Sequence, residues 1–157
     1  LLSDEFGVLC PRSGQLWPML KPLALKNRSI DIIRDYAEEV ILGPVYRGTR
    51  KGDVAHLAPG EGSVDARRLP ARPQLVIFPS FREGATLSLR RLPAEQAFAN
   101  LAFNSFNYEL LGATSFNAVA DVIENCPAFA LEYSRLDDAI EAVRSLLADS
   151  TAARNGA

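Results

Sequence analysis

The chain has 157 residues, 48% of them hydrophobic and 23% charged, with a net charge of −2. Those proportions belong to a globular domain, and the near-neutral balance gives no support to a nucleic-acid-binding role. Two cysteines (Cys10 and Cys126) and one histidine argue against a Cys/His zinc centre. No apolar run reaches the roughly 18 residues that span a bilayer, and no basic-then-apolar leader opens the chain. A cytoplasmic domain with two reduced thiols is the expectation.

In chain order, Leu1 to Ser3 reads as the end of a buried strand and Phe6 to Cys10 as a second strand. Pro11, Ser13 and Gly14 make a turn, and Gln15 to Leu20 returns as a short strand interrupted by Pro18. Leu23 to Leu25 is a further strand. A helix capped by Asn27 or Ser29 follows, with Ile30, Ile33, Ala37 and Ile41 at helical spacing and Gly43-Pro44 as its stop. Residues 45–57 read as a hairpin turning near Thr49 to Gly52, and the Pro- and Gly-rich stretch 58–73 reads as a loop. Gln74 to Phe78 is an unbroken apolar strand suited to a central buried position. Thr86 to Leu92 alternates as another strand. Two helical patterns then run through Ala97, Phe98 and Leu101 and through Ala118, Val119, Val122 and Ile123. Phe129 to Tyr133 is a strand, Leu136 to Leu147 an amphipathic helix, and 149–157 a small, polar tail.

Four constellations could carry chemistry. Asp4-Glu5 is an acidic pair at a strand end, the place where a nucleotide-using enzyme holds Mg²⁺ or a general base. Adjacent strand residues point to opposite faces, so one acid faces a site while the other makes a structural contact. The plain alternative is a turn carrying exposed acids. Lys26-Asn27-Arg28-Ser29 puts cations and small polar groups at a strand-to-helix junction, which favours an anion or merely caps a helix. Arg50 to His56 offers Lys51 to neutralise phosphate charge, Gly52 for close backbone approach, and the lone His56. Asn104 and Asn107 share a helical face beside aromatics, where satisfying backbone groups is the favoured role. No G-x-x-x-x-G-K-[ST] phosphate loop occurs, and Gly60-Glu61-Gly62 carries no lysine and meets no clear helix start.

Taken in order, these pieces resemble the HPr kinase-related proteins, in particular the HprK-related kinase A group. Leu1-Leu2-Ser3-Asp4-Glu5-Phe6 is similar to that group's strand ending in an acidic pair. Leu25-Lys26-Asn27 followed by Ser29-Ile30 resembles its S-L-K-N-x-S-I segment. Gly43-Pro44-Val45, then Lys51-Gly52 with Val54-Ala55-His56-Leu57, resembles its K-G-x-V-A-H-L stretch. Ala71-Arg72-Pro73 ahead of QLVIFP, and the run Asn104 to Gly112, extend the similarity toward residue 147.

The resemblance implies an α/β fold, a mixed sheet with flanking helices of the HPr kinase and phosphoenolpyruvate carboxykinase type, incomplete at its N-terminus. Residues 1–148 would be the C-terminal portion of one such domain and 149–157 a disordered tail. It implies ATP-dependent phosphoryl transfer to a protein serine with Mg²⁺. Asp4 would be the general base or metal-side acid and Glu5 its catalytic neighbour, with Lys26, Asn27, Lys51 and His56 in cofactor-binding positions. The group's phosphate loop precedes the acidic pair, so this chain would be a fragment, inactive without it. Ser3 and Glu5 depart from the Ala-Asp-Asp pattern of HPr kinases, which argues against HPr as the substrate. A protein substrate and self-association are the partners expected, with neither nucleic acid nor membrane. The rival readings are a non-catalytic nucleotide- or protein-binding module of the same fold, and a structural subunit that needs a partner chain.

Overall fold

The computed structural model describes residues 1–37 and 39–155. Among them are eight short strands in three small sheets and six helices, a mixed α/β chain with strands concentrated in the first half and helices in the second. It divides into two compact units: Leu1–Leu9 with Leu16–Ala71, and Cys10–Gln15 with Arg72–Ala157.

Leu1 to Ser3, expected as a strand end, joins no sheet. The Ser3 hydroxyl accepts the Phe6 N–H at 3.2 Å, a local bond that competes with a strand ladder. The first hairpin pairs β1 (Val8–Cys10) with β2 (Gln15–Trp17), and Gly14 closes its turn at φ 64° by donating to the Cys10 carbonyl. Pro18 falls just beyond β2, where its missing N–H costs no ladder bond.

In the first unit β3 (Leu23–Lys26), β5 (Gly52–Leu57) and β4 (Tyr46–Thr49) form an antiparallel sheet in the order β3-β5-β4. The pairs Leu23–Leu57 and Leu25–Ala55 share one face, and Ala55 is fully buried there. Ala24–His56 and Lys26–Val54 share the other face, so the strand period alone places Lys26 and His56 on the same side. Helix α1 (Arg28–Tyr36) packs beside β3 and buries Ile30.

This helix ends five residues before Ile41, which the helical spacing had included. The backbone of 41–43 is used instead against the end of β5: Ala58 N–H donates to Ile41, Gly43 N–H donates to His56, and Leu42 bridges Leu57. Those long-range bonds outweigh local periodicity, and Ile41 is left largely exposed. The loop expected at 58–73 contains a short helix, α2 (Glu61–Asp65), with Gly60 at its N-cap.

The second unit is built on β6 (Val76–Phe81), β8 (Ala128–Tyr133) and β7 (Ser88–Arg91), in the order β6-β8-β7. β6 runs parallel to β8, and β7 antiparallel to it. β8, not the Gln74 to Phe78 segment, is therefore the central strand. Pro79 lies within β6 and cannot donate to a neighbour on both sides, which suits an edge. At the far end Arg82 holds Glu132 through two bonds of 2.6 and 3.1 Å, and that guanidinium lowers the Glu132 carboxyl below its ordinary value.

Helix α3 (Ala94–Phe103) starts after Pro93, and α5 (Ala113–Asn125) stops before Pro127; the two pack together with α4 (Tyr108–Leu111) beside α5. Helix α6 (Leu136–Asn155) follows β8; residues 156 and 157 of the expected tail lie outside the described residues. The core gathers Leu92, Ala97 and Ala128, with Val76, Phe78, Ile123 and Ala130 against them. Ala97 has no exposed surface, so the helix approaches the sheet as closely as a methyl allows. Ala97→Leu should lower stability by about 1–3 kcal/mol through overpacking, read as a reduced midpoint in urea unfolding, whereas Ala99→Leu on the same helix should cost much less.

Candidate functional site

All six residues singled out by sequence lie in the first unit. Asp4 and Glu5 run along the free side of β3. Asp4 Oδ2 accepts the Ala24 N–H at 3.5 Å, and Ala24 is the register partner of His56. Glu5 Oε2 accepts from Lys21 Nζ at 2.5 Å, and the same ammonium lies 5.2 Å from the centre of the Phe6 ring. The two carboxylates are thus held differently, one by a backbone amide and one by a lysine.

Glu5 titrates below the ordinary glutamate range. The hydrogen bond from Lys21 is the main cause, then its charge, with smaller contributions from the charges of Lys51 and Lys26. Those two cations therefore lie within electrostatic reach of the acidic pair, although 46 and 21 residues separate them from Glu5 in sequence. Among the described residues neither Lys26 nor Lys51 has a carboxylate within ion-pair distance.

What presents these lysines is a knot between two turns. Asn27 N–H donates to the Asp53 carbonyl at 2.9 Å, and Asp53 N–H returns a bond to Asn27 Oδ1 at 3.0 Å. Asn27 itself sits at φ 49° and ψ −127°, a region that costs a non-glycine residue about 1–3 kcal/mol. The Ser29 hydroxyl locks the preceding residue, accepting the Lys26 N–H and donating to the Lys26 carbonyl, both at 2.8 Å. On the other side Asp53 Oδ1 accepts the Gly48 N–H, and Thr49 Oγ1 donates to the Gly52 carbonyl at 2.7 Å and accepts the Lys51 N–H. Gly52, at φ 86°, lies against the Asn27 amide, and a Cβ there would overlap it. Asn27 is thus a structural hinge pin between Lys26 and Lys51, and its amide oxygen is already engaged.

His56 is exposed on the sheet face it shares with Lys26. No group of three or more His, Cys, Asp or Glu among the described residues is placed to hold a metal ion. Mg²⁺ takes only one or two protein carboxylates and otherwise phosphate and water, so Asp4, which takes part in no ion pair among the described residues, fits that limited role. Glu5 fits it poorly because Lys21 already occupies it.

Two contributors escaped the sequence reading. Lys21 has no spacing that ties it to Glu5, and nothing local announces the ion pair. Asp53 could have been found from turn chemistry, since a Lys-Gly-Asp turn offers its acid to backbone amides. Elsewhere, Asn104 and Asn107 do not share a helical face: Asn104 ends α3, donating its amide to the Asn100 carbonyl at 2.8 Å on the surface, and Asn107 precedes α4. Neither Cys10, half-buried, nor Cys126, buried with its thiol donating to the Pro73 carbonyl at 3.3 Å, is joined in a disulfide among the described residues. No helix among the described residues is long and apolar enough to cross a membrane. No protein-family model, curated protein or solved structure matches this chain.

Lys21→Met should return the Glu5 carboxyl most of the way to the ordinary glutamate pKa, followed by carbon-detected NMR titration. Because the folded value is depressed, the stability Glu5 contributes is present above the unfolded-state value and is lost as pH falls through the folded one. In the variant that acid-side loss should shrink. Gly52→Ala meets both an unfavourable φ and the Asn27 amide, and should destabilise the first unit by roughly 2 kcal/mol or more in thermal unfolding.

Proposed function

We propose that the first unit forms the acceptor side of an ATP-dependent phosphoryl-transfer site of the HPr kinase-related kind. The observation that carries this reading is the Lys21–Glu5 ion pair beside Asp4, whose carboxylate is held on the Ala24 N–H next to the strand that ends in Lys26. Phosphoryl transfer depends chiefly on positioning and on neutralising phosphate charge, with a carboxylate to receive the proton of the attacking hydroxyl. The sequence resemblance is the source of the family assignment.

The two carboxylates divide the work. Glu5, paired with Lys21 and held ionised, is a weak base and serves as an anchor for the strand end. Asp4 takes the proton as the acceptor oxygen bonds to the γ-phosphorus and the bond from that phosphorus to the β-phosphate oxygen breaks, releasing ADP. Lys26 and Lys51, on turns fixed by Asn27 and Gly52, offset the negative charge of the transferring group. Mg²⁺, when bound, would neutralise phosphate oxygens, with Asp4 as its protein carboxylate. The reading also requires a phosphate-gripping loop from residues outside this sequence. The acceptor is a protein hydroxyl other than that of HPr, and the setting is cytoplasmic.

A protein that carries this chain together with a phosphate-binding loop should transfer ³²P from Mg·ATP to a protein fraction of its own organism. Asp4→Asn should lower that rate by roughly 10²–10⁴-fold while circular dichroism is unchanged. Glu5→Gln should cost far less. Transfer undiminished in Asp4→Asn would overturn the assignment. Nucleotide binding with no transfer in the parent protein would move the chain to the non-catalytic binding module.

A further inference from the structure

The second unit distributes its apolar residues the wrong way round for a free-standing surface. Its buried positions are mostly small or β-branched: Ala97, Ala128, Ala139, Val119 and Val122, with Leu92 and Leu131. Its aromatic side chains point outward around α4. Phe103 is 91% exposed, Phe106 89% and Leu110 85%, with Leu111 and Phe116 about half exposed. Fourteen consecutive residues, 103–116, carry all five, from the end of α3 through α4 to the first turn of α5, and both α3 and α4 pack against α5. Phe98 supports it from behind, 5.1 Å from the Phe116 ring and 6.5 Å from that of Tyr108.

We propose that this α3–α4–α5 corner is a docking surface for a second copy of the same chain. Area is the first argument. At ~200 Å² for a whole aromatic side chain and somewhat less for leucine, the five side chains expose roughly 650 Å². The largest apolar patch on an ordinary monomer is about 300–600 Å². Two such corners face to face would bury roughly 1,300 Å², within the range of about 1,200–2,000 Å² for a stable interface.

Charge is the second argument, and it selects the partner. Between Glu95 and Asp121 the only charged residue is Glu109. A surface of one sign cannot meet its own copy, but a neutral one can, and homodimer interfaces are the more apolar kind. The polar groups nearby are Asn104, Asn107 and Asn117, whose amides each donate and accept and can therefore pair with an identical group across a two-fold axis. Glu109 marks the rim. The surface stands apart from the phosphoryl-transfer reading, since its residues belong to the other unit.

The test is sedimentation velocity of the whole chain from roughly 1 µM to roughly 100 µM, bracketing the weak end of affinities for interfaces of this size. The parent chain should shift from monomer to a species of twice the mass. Phe103→Ser combined with Leu110→Ser should raise the dissociation constant about 30-fold or more, the effect of losing a central anchor pair. Both side chains are exposed, so circular dichroism and the monomer's melting temperature should be unchanged. Ile41→Ser, which removes a 76%-exposed apolar side chain from the first unit, should leave the dimer intact. A parent chain that stays monomeric throughout would overturn the proposal. So would a dimer that survives the double substitution, association equally sensitive to Ile41→Ser, or self-association without a fixed two-fold stoichiometry.

Discussion

The reciprocal bond between Asn27 and Asp53 is the constraint on which the candidate site depends. It joins the end of β3 to the β4–β5 turn, segments 26 residues apart, through two backbone amides, one carbonyl and one side-chain oxygen. Asn27 can adopt its left-handed φ because its short amide reaches a backbone donor. Gly52 can lie beside it because it has no Cβ. With those two residues settled, Lys26 leaves one turn and Lys51 the other, and both charges reach Glu5. A side chain at Gly52 would overlap the Asn27 amide and break its bond with Asp53.

The same economy of contacts runs through both units. The first buries Ile30 and Ala55 as its most enclosed apolar residues, and the second relies on alanines and valines in close approach. Stability then comes from backbone ladders, closely fitted small residues and exposed ion pairs such as Arg82–Glu132, each of modest worth. Large apolar groups remain available at the surface. In the second unit they collect around α4, where a partner's burial would add what the core omits.

Much of the architecture was legible in the residues. Alternation marked β5 and the hairpin it makes with β4, and turn residues at Thr49 to Gly52 marked its reversal. Pro93 and Pro127 bracket the α3–α5 region, since proline's ring restricts the backbone and removes a donor. The misreadings share one cause. Helical spacing carried α1 through to Ile41, and apolar continuity put Gln74 to Phe78 at the sheet centre. In the fold, residues 41–43 serve β5, and β8 takes the central place because Pro79 confines β6 to an edge.

For the site, residue type at strand ends and turns, joined to the resemblance, nominated Asp4, Glu5, Lys26, Asn27, Lys51 and His56. That Lys26 and His56 share a sheet face came only with the pairing register of β3 and β5. Neither type nor period could reveal that Lys21 takes Glu5, leaving Asp4 as the freer acid, or that Asn27 is spent on Asp53. Those outcomes depend on which distant backbone comes to lie alongside. Local chemistry is written in neighbouring residues, but an ion pair across 16 positions and an amide bond across 26 exist only once the chain has folded back on itself.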